Sequence, residues 1–342
     1  MVGSSVVSSS SSGRQRLRTS LIASTLLAGG CAWDGPMSTL VARSDMAHDV
    51  LSLYGLITWI AAGIGVLVFA VLGYVLLRFR DRPGAPLPPQ TPGRPWLEIA
   101  WTIGPALVLL IIAVPTLQVI FRTQSLAKPR DALEVVVRGY QWWWEFSYPA
   151  LGVVTANELH LPAGRRVVFE LEGPDVIHSF WVPKLGGKRD VVPGRGNTIT
   201  MTPDTPNEFW GQCAEFCGTS HANMGLRVVV DSAADFDRWV AAQRAPASEP
   251  DGEAAAGKAI FAGHACVGCH TVRGVSGGRL GPDLTHFGTR RTLAAGLFPN
   301  TAERVTAWVR DAPALKPGVK MPPFAFTDDQ ARALAAYLAS LK

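Results

Sequence analysis

Two long apolar runs, a stretch of short alternating ones and a final region of helical stripes divide the chain. No charged residue occurs from Val50 to Leu77, so at a helical rise the run exceeds the roughly 20 residues that cross a bilayer. Ile99 to Phe121 is a second such run; Pro105 and Pro115 interrupt it, which spanning helices tolerate. The pattern predicts a two-helix transmembrane hairpin over 45–124, with spans near 51–78 and 98–121. Beyond it come short β-rich runs, Glu134–Val137, Arg166–Leu171, Val176–Val182, Asn197–Thr202 and Leu226–Val230, punctuated by Gly, Pro and Asn. That rhythm predicts an antiparallel sandwich or barrel over 125–240. Asp235–Arg244 reads as a helix, and 241–253 as a linker rich in Ala, Pro, Ser and Glu from Ala245 onward. Over 254–342 the texture is helical. Its last segment opens on the capping box Thr327-x-x-Gln330 and carries Leu334, Tyr337, Leu338 and Leu341 on one stripe.

Composition and charge sharpen this outline. Hydrophobic residues make up 48% of the 342 and charged ones 17%, a membrane-like balance. Arg78, Arg80, Arg82 and Arg94 face only Asp81 in the loop between the runs, so the positive-inside rule puts that loop in the cytoplasm. Everything after Phe121 then lies outside, on the periplasmic face of a bacterial inner membrane. Arg14, Arg16 and Arg18 precede Leu21–Gly30, which is too short to span and reads as a secretory signal over 1–31. Its end, Leu27-Ala-Gly-Gly-Cys31, resembles a lipoprotein processing site and marks Cys31 for lipidation, with ordinary cleavage as the alternative. The net charge of +5 accompanies no nucleic-acid-binding motif, and no nucleic-acid partner is expected.

The remaining four of the five cysteines carry the chemistry. Cys213 and Cys217 begin C-x-x-x-C-x-x-x-H-x-x-M, which ends in His221 and Met224. Thiolate, imidazole and thioether are soft ligands that select copper. A second imidazole has to come from another strand, and His178 is the candidate. A structural zinc site on the two cysteines and two histidines, or a Cys213–Cys217 disulfide, are the alternatives. Cys266-Val-Gly-Cys269-His270 is the attachment signal for a c-type haem, with His270 as proximal iron ligand. Met321, in Lys320-Met-Pro-Pro323, supplies the distal ligand that a high-potential carrier needs. Gly281-Pro-Asp-Leu284 resembles the haem-packing loop of class I cytochromes c. His48, His160, His264 and His286 stand apart from these motifs, as do Met37, Met46 and Met201.

Residues 45–232 resemble subunit II of haem-copper cytochrome c oxidases. The resemblance rests on Gly139-Tyr-Gln-Trp-Trp-Trp-Glu145, Asp175–Arg195 and Gly211-Gln-Cys-Ala-Glu-Phe-Cys217 through Met224. With the haem motif added, the whole is similar to the fused subunit II of caa-type terminal oxidases. The resemblance implies a transmembrane hairpin, an all-β cupredoxin-like Greek-key domain and an all-α class I cytochrome c domain. It implies that Cys213 and Cys217 bridge a dinuclear copper centre, CuA. His178 and His221 would each hold one copper, Met224 would be a weak ligand, and the Glu215 carbonyl would complete the set. The Glu215 carboxylate would reach a magnesium ion shared with subunit I. Trp142 would be where electrons enter and Glu98 the mouth of a proton path. Partners implied are subunit I, subunit III and an external electron donor, cytochrome c or a membrane reductase. The activity implied is passage of electrons from haem to CuA and on to subunit I, where oxygen is reduced and protons are pumped. A CuA-bearing subunit of a nitric oxide reductase and a membrane-anchored copper carrier or assembly protein are the rival readings.

Two further expectations concern how the last two domains meet. A flexible linker of about a dozen residues reaches roughly 20 Å, which keeps the cytochrome near the copper. Residues 254–342 hold 11 Lys and Arg against 5 Asp and Glu, whereas 125–245 hold 12 against 14. That contrast predicts transient, charge-guided docking.

Overall fold

Ser44 starts the first helix. Its hydroxyl accepts from Ala47 N–H at 3.1 Å, capping α1 (Asp45–Arg78). The structure is a computed structural model and describes residues 34–84, 86, 89–124 and 129–342; the signal segment 1–31 and Cys31 lie outside these. Pro95, whose missing N–H costs nothing in a first turn, opens α2 (Pro95–Thr123). Both helices carry large apolar side chains outward, among them Leu77, Ile99, Leu109 and Phe121, as a lipid-facing surface requires. α1 begins well before the apolar run because its first turn belongs to the β domain. Thr202 N–H donates to Asp45 at 2.7 Å, and His48 pairs with Asp204 at 2.8 Å. Met46 is buried in the sandwich core. A Cβ on Gly186 would lie 2.7 Å from its sulfur, so a larger residue there would push the Met46 side chain aside.

Ten strands make two five-stranded sheets. The first is ordered β3 (Val153–Ala156), β2 (Trp143–Tyr148), β1 (Leu133–Tyr140), β5 (Val167–Glu172), β8 (Asn197–Met201). The second is ordered β4 (Glu158–Pro162), β10 (Gly225–Asp231), β9 (Asn207–Cys213), β6 (His178–Trp181), β7 (Arg189–Val191). The sheets are mixed rather than purely antiparallel: β1 pairs with β5 and β4 with β10 in parallel. Parallel neighbours need long crossovers, and here the chain makes them by changing sheets. Alternate residues of each strand fill the interior, with Trp144, Phe146, Phe169, Phe180 and Leu171 fully buried. Trp144 meets Phe180 edge-on at 5.8 Å. The Tyr148 hydroxyl donates to His160 O at 2.8 Å and accepts from His160 N–H at 3.0 Å.

α3 (Ala233–Arg244), capped by Ser232, packs Phe236 and Val240 on the sandwich. Because α3 runs to Arg244 and α4 (Gly252–Gly263) starts at Gly252, only residues 245–251 connect the domains. The connection is therefore shorter than the composition of 241–253 suggests. After α4 come α5 (Cys266–Cys269), a hairpin of β11 (Thr271–Val272) and β12 (Ser276–Gly277), and a second of β13 (Thr292–Leu293) and β14 (Phe298–Pro299). These two small hairpins qualify the all-α expectation. α6 (Ala302–Arg310), α7 (Ala312–Leu315) and α8 (Asp328–Ser340) complete the chain. The Thr327–Gln330 capping box forms in both directions, and Leu334, Tyr337, Leu338 and Leu341 join Phe261 and Phe287 in a second core.

α4 crosses α8 at Gly257, where a Cβ would lie 1.9 Å from Ala333 O. Gly257→Ala forces backbone apart and is expected to destabilise the cytochrome domain by about 1–3 kcal/mol or more. The lowered denaturant midpoint of that domain, against an unchanged sandwich, is the measurement.

Candidate functional site

β9, the central strand of the second sheet, ends at Cys213, and the chain returns as β10 after one loop. Cys213 N–H donates to Met224 O at 2.9 Å, so that loop is closed at its base and its side chains point into a common space. β6 lies beside β9 with Phe180 opposite Cys213, which brings in His178. The Cys213 and Cys217 sulfurs lie 3.7 Å apart. His178 Nδ1 is 3.9 Å from the Cys213 sulfur, and His221 Nδ1 is 3.6 Å from that of Cys217. Met224 Sδ lies 3.9 Å from Cys217 Sγ, and Glu215 O lies 3.2 Å from Cys213 Sγ. His178 and both cysteines are buried and form a cluster compact enough to hold a metal ion.

The ring of His178 is held from behind. Its Nε2 lies 2.9 Å from an Asp175 carboxylate oxygen, so Nδ1 is the nitrogen presented to the thiols. Asp175 is itself fixed by the Gln141 N–H at 2.8 Å and by Val176 N–H at 2.7 Å. Burial alone lowers the basicity of His178, but the Asp175 bond and the Cys213 sulfur outweigh it and raise its pKa. Burial likewise opposes charge on Asp175, yet His178 and the two amides hold its pKa below the usual value. The hydrogen bond from Cys217 pushes the Cys213 thiol down, ahead of the opposing effect of burial. The pair thus readily yields one thiolate, the form that binds metal.

This donor set bears on the metal alternatives. Zinc in a structural site takes four ligands, whereas here a buried thioether and a carbonyl oxygen also lie beside the thiols, at 3.9 and 3.2 Å. Such a set suits copper. Both cysteines are free thiols, so the disulfide is not formed.

The other residues singled out from the sequence are placed as follows. The Glu215 carboxylate meets Lys188 Nζ at 3.5 Å. Trp142 donates its indole N–H to Cys217 O at 3.1 Å, and the Gln141 side chain donates to the same carbonyl at 2.8 Å. Trp142 is only 7% exposed. Glu98, by contrast, is exposed in the first turn of α2. It stands 24 helical positions, or about 36 Å, from Arg122, which pairs with Asp49 near the β domain. It is not part of the thiol cluster.

In the cytochrome domain Cys266 and Cys269 are free and half-buried at the two ends of α5. His270 Nδ1 lies 2.8 Å from Pro282 O, which leaves Nε2 for iron. Burial lowers the pKa of His270 and keeps the ring neutral, as a ligand must be. A Cβ on Gly281 would lie 2.6 Å from the imidazole, so this loop packs on the ring only as glycine. These features fit a haem held by α5. Met321 lies half-buried in the loop between α7 and α8.

The sequence reading passed over Asp175, Gln141, Glu158 and Lys316. Asp175 and Gln141 stand inside segments already singled out, three residues before His178 and one before Trp142. The other two join the domains. A Glu158 oxygen accepts from Arg291 N–H, Thr292 N–H and the Thr292 hydroxyl at 2.8, 2.8 and 3.0 Å. Lys316 Nζ donates to Trp142 O at 2.7 Å. Charge does contribute at the rim, where Arg291 pairs with Glu208, but most of these contacts go to backbone groups and are buried, unlike a transient charged encounter.

Residues 35–119 match the family model "Cytochrome C oxidase subunit II, transmembrane domain", and 151–233 match the model of its periplasmic domain. Residues 254–342 match the cytochrome c model. Cytochrome c oxidase subunit 2 of Alkalihalophilus pseudofirmus is 36% identical over 325 residues, covering 93% of this chain and 94% of the relative. The chain belongs to the cytochrome c oxidase subunit II family. The subunit 2 proteins of Bacillus sp. PS3 (38% identical) and Bacillus subtilis (36%) likewise cover 93% of this chain and 94% and 95% of their own length. Likeness to subunit II at that coverage includes the cytochrome c domain, as the resemblance to caa-type fusions implies.

Asp175→Asn leaves the thiols untouched but weakens the hold on His178. Loss of such a supporting carboxylate lowers metal affinity by about 10- to 100-fold, to be measured by competition with a copper chelator.

Proposed function

We propose that the chain accepts electrons for an aerobic respiratory oxidase, passing them from a covalently bound haem c to a dinuclear CuA centre and on to subunit I. The observation that carries this reading is the gathering of two imidazoles, a thioether and a carbonyl around two buried thiols, within a chain that also holds a haem-binding helix. Cys213, Cys217, His178, His221, Met224 and the Glu215 carbonyl would hold the copper pair. Cys266 and Cys269 would hold the haem, with His270 and Met321 on its iron. Bound there, copper and haem supply reversible one-electron exchange.

The protein's own residues prepare that exchange. Burial of the thiols and of Met224 excludes water, so little solvent must reorganise when charge moves. Asp175 fixes the tautomer of His178, and Trp142 and Gln141 together fix the Cys217 carbonyl. Trp142 is the point where electrons reach the ligand loop. The Glu215 carboxylate would serve magnesium at the boundary with subunit I. Glu98 sits at the opposite end of the hairpin, where the arginine-rich loop marks the cytoplasmic side, and would admit protons there. The β and cytochrome domains would then face the periplasm, with Cys31 as a lipid anchor. Oxygen reduction and proton pumping belong to subunit I, with subunit III alongside and an external donor reducing the haem.

The buried ligand set disfavours a copper carrier, which needs an exchangeable site. The purified full chain is expected to hold two coppers and one haem iron, with a mixed-valence copper resonance and a low-spin c-haem spectrum. Cys217→Ser should abolish the copper resonance and leave the haem spectrum intact. Copper removed readily by a chelator, or a resonance that survives in Cys217→Ser, would count against the reading.

A further inference from the structure

Beside the ligand loop, the cytochrome domain offers two backbone segments to the sandwich, and one lysine joins them. The turn of the β13–β14 hairpin holds three successive residues in the left-handed region: Ala294 (φ 58°), Ala295 (φ 64°) and Gly296 (φ 82°). Residues with a Cβ rarely adopt it. Both alanine carbonyls are engaged. Ala295 O accepts from Gly225 N–H at 3.0 Å, and Ala294 O accepts from Lys316 Nζ at 2.9 Å. The second segment, 316–319, lies on Trp142. The Ser220 hydroxyl donates to Pro317 O at 2.5 Å, and a Cβ on Gly318 would lie 2.7 Å from the Trp142 ring. Val319 packs against the sandwich core.

Lys316 is 1% exposed, and its two hydrogen-bond partners are carbonyls, one from each domain. Burial pulls its amine down to about 7. A buried amine bonded to neutral groups is a poor source of stability, since an apolar side chain of similar length is easier to bury. What the lysine supplies is direction, because its donors fix three chain segments at a single point.

We propose that Lys316 is a positioning residue: by tying Trp142 to the strained 294–296 turn, it seats the haem-binding domain in one register on the ligand loop. The seat lies one hydrogen bond from Cys217, through the Trp142 indole. The inference rests on the electron-transfer reading above and names the residue that sets the geometry of transfer between the two domains. Without Lys316 the cytochrome keeps its connection through 245–251 and the Glu158 contacts with Arg291 and Thr292, but the 294–296 turn is no longer tied to Trp142 and its seat on the ligand loop loosens.

Lys316→Met in the full, metal-loaded chain tests this. Hydrogen exchange of the Gly225 amide, whose acceptor is in the cytochrome, reads the seat without any turnover. It is expected to quicken about ten-fold or more, as local opening dictates, while amides of the β1–β5 pairing are unchanged. With the optical and copper spectra intact, flash-initiated electron transfer from haem to copper should slow and become dependent on solvent viscosity. A merely structural lysine would not confer that dependence. Lys316→Gln, which keeps a donor on a shorter stem, is the second variant and should shift both readouts in the same direction. Unchanged exchange at Gly225, or a rate that keeps its value and its indifference to viscosity, overturns the proposal. Absence of the copper resonance from the unmutated chain would instead defeat the functional reading, and Gly225 exchange would still decide the seat.

Discussion

One backbone hydrogen bond, from Cys213 N–H to Met224 O, governs the rest of the ligand loop. It continues the β9–β10 ladder to the point where the strands part, so the intervening residues must bulge. Two cysteines four apart, a histidine four further on and a methionine three beyond then share one small volume. The groups that line this volume are costly to bury without a partner, as any desolvated polar atom is. His178 is secured by Asp175 and the Cys217 carbonyl by two donors, while the Glu215 carboxylate meets Lys188.

How far this could be read from the residues alone depended on where each partner lies in the chain. The hairpin, the capped last helix and the soft-ligand motifs are local patterns, and they emerged at or near the expected places. Strands β2, β3, β4, β7 and β9 did not stand out, because Trp143–Tyr148 and Asn207–Cys213 mix aromatic, polar and glycine residues that blur the alternation. The first turn of α1 was hidden for another reason. Its polar residues bond to Thr202 and Asp204, more than 150 positions away. Glu158 and Lys316 carried no signal at all. Apart from the Thr292 hydroxyl their partners are backbone groups, all 133 to 174 positions distant except Ala294 at 22, and a backbone group has no letter in a sequence.

The same reasoning separates the two kinds of contact between sandwich and cytochrome. Counting charges anticipates the exposed Arg291–Glu208 pair, which salt would screen. It cannot anticipate Glu158 accepting two backbone amides and a hydroxyl, or left-handed alanines presenting their carbonyls. These buried polar contacts are demanding in geometry, and they tolerate one arrangement where a charged patch tolerates many.

The junction at Ser44–Asp49 has a mechanical meaning. With Met46 sunk in the sandwich, and Asp45 and His48 bonded to the segment after β8, the first membrane helix enters the β domain as a rigid shaft without a flexible neck. The height of the sulfur cluster above the lipid surface is then set by the length of that shaft. Any tilt imposed on the helix by its neighbours in the membrane would be delivered to the cluster as a rotation of the whole head.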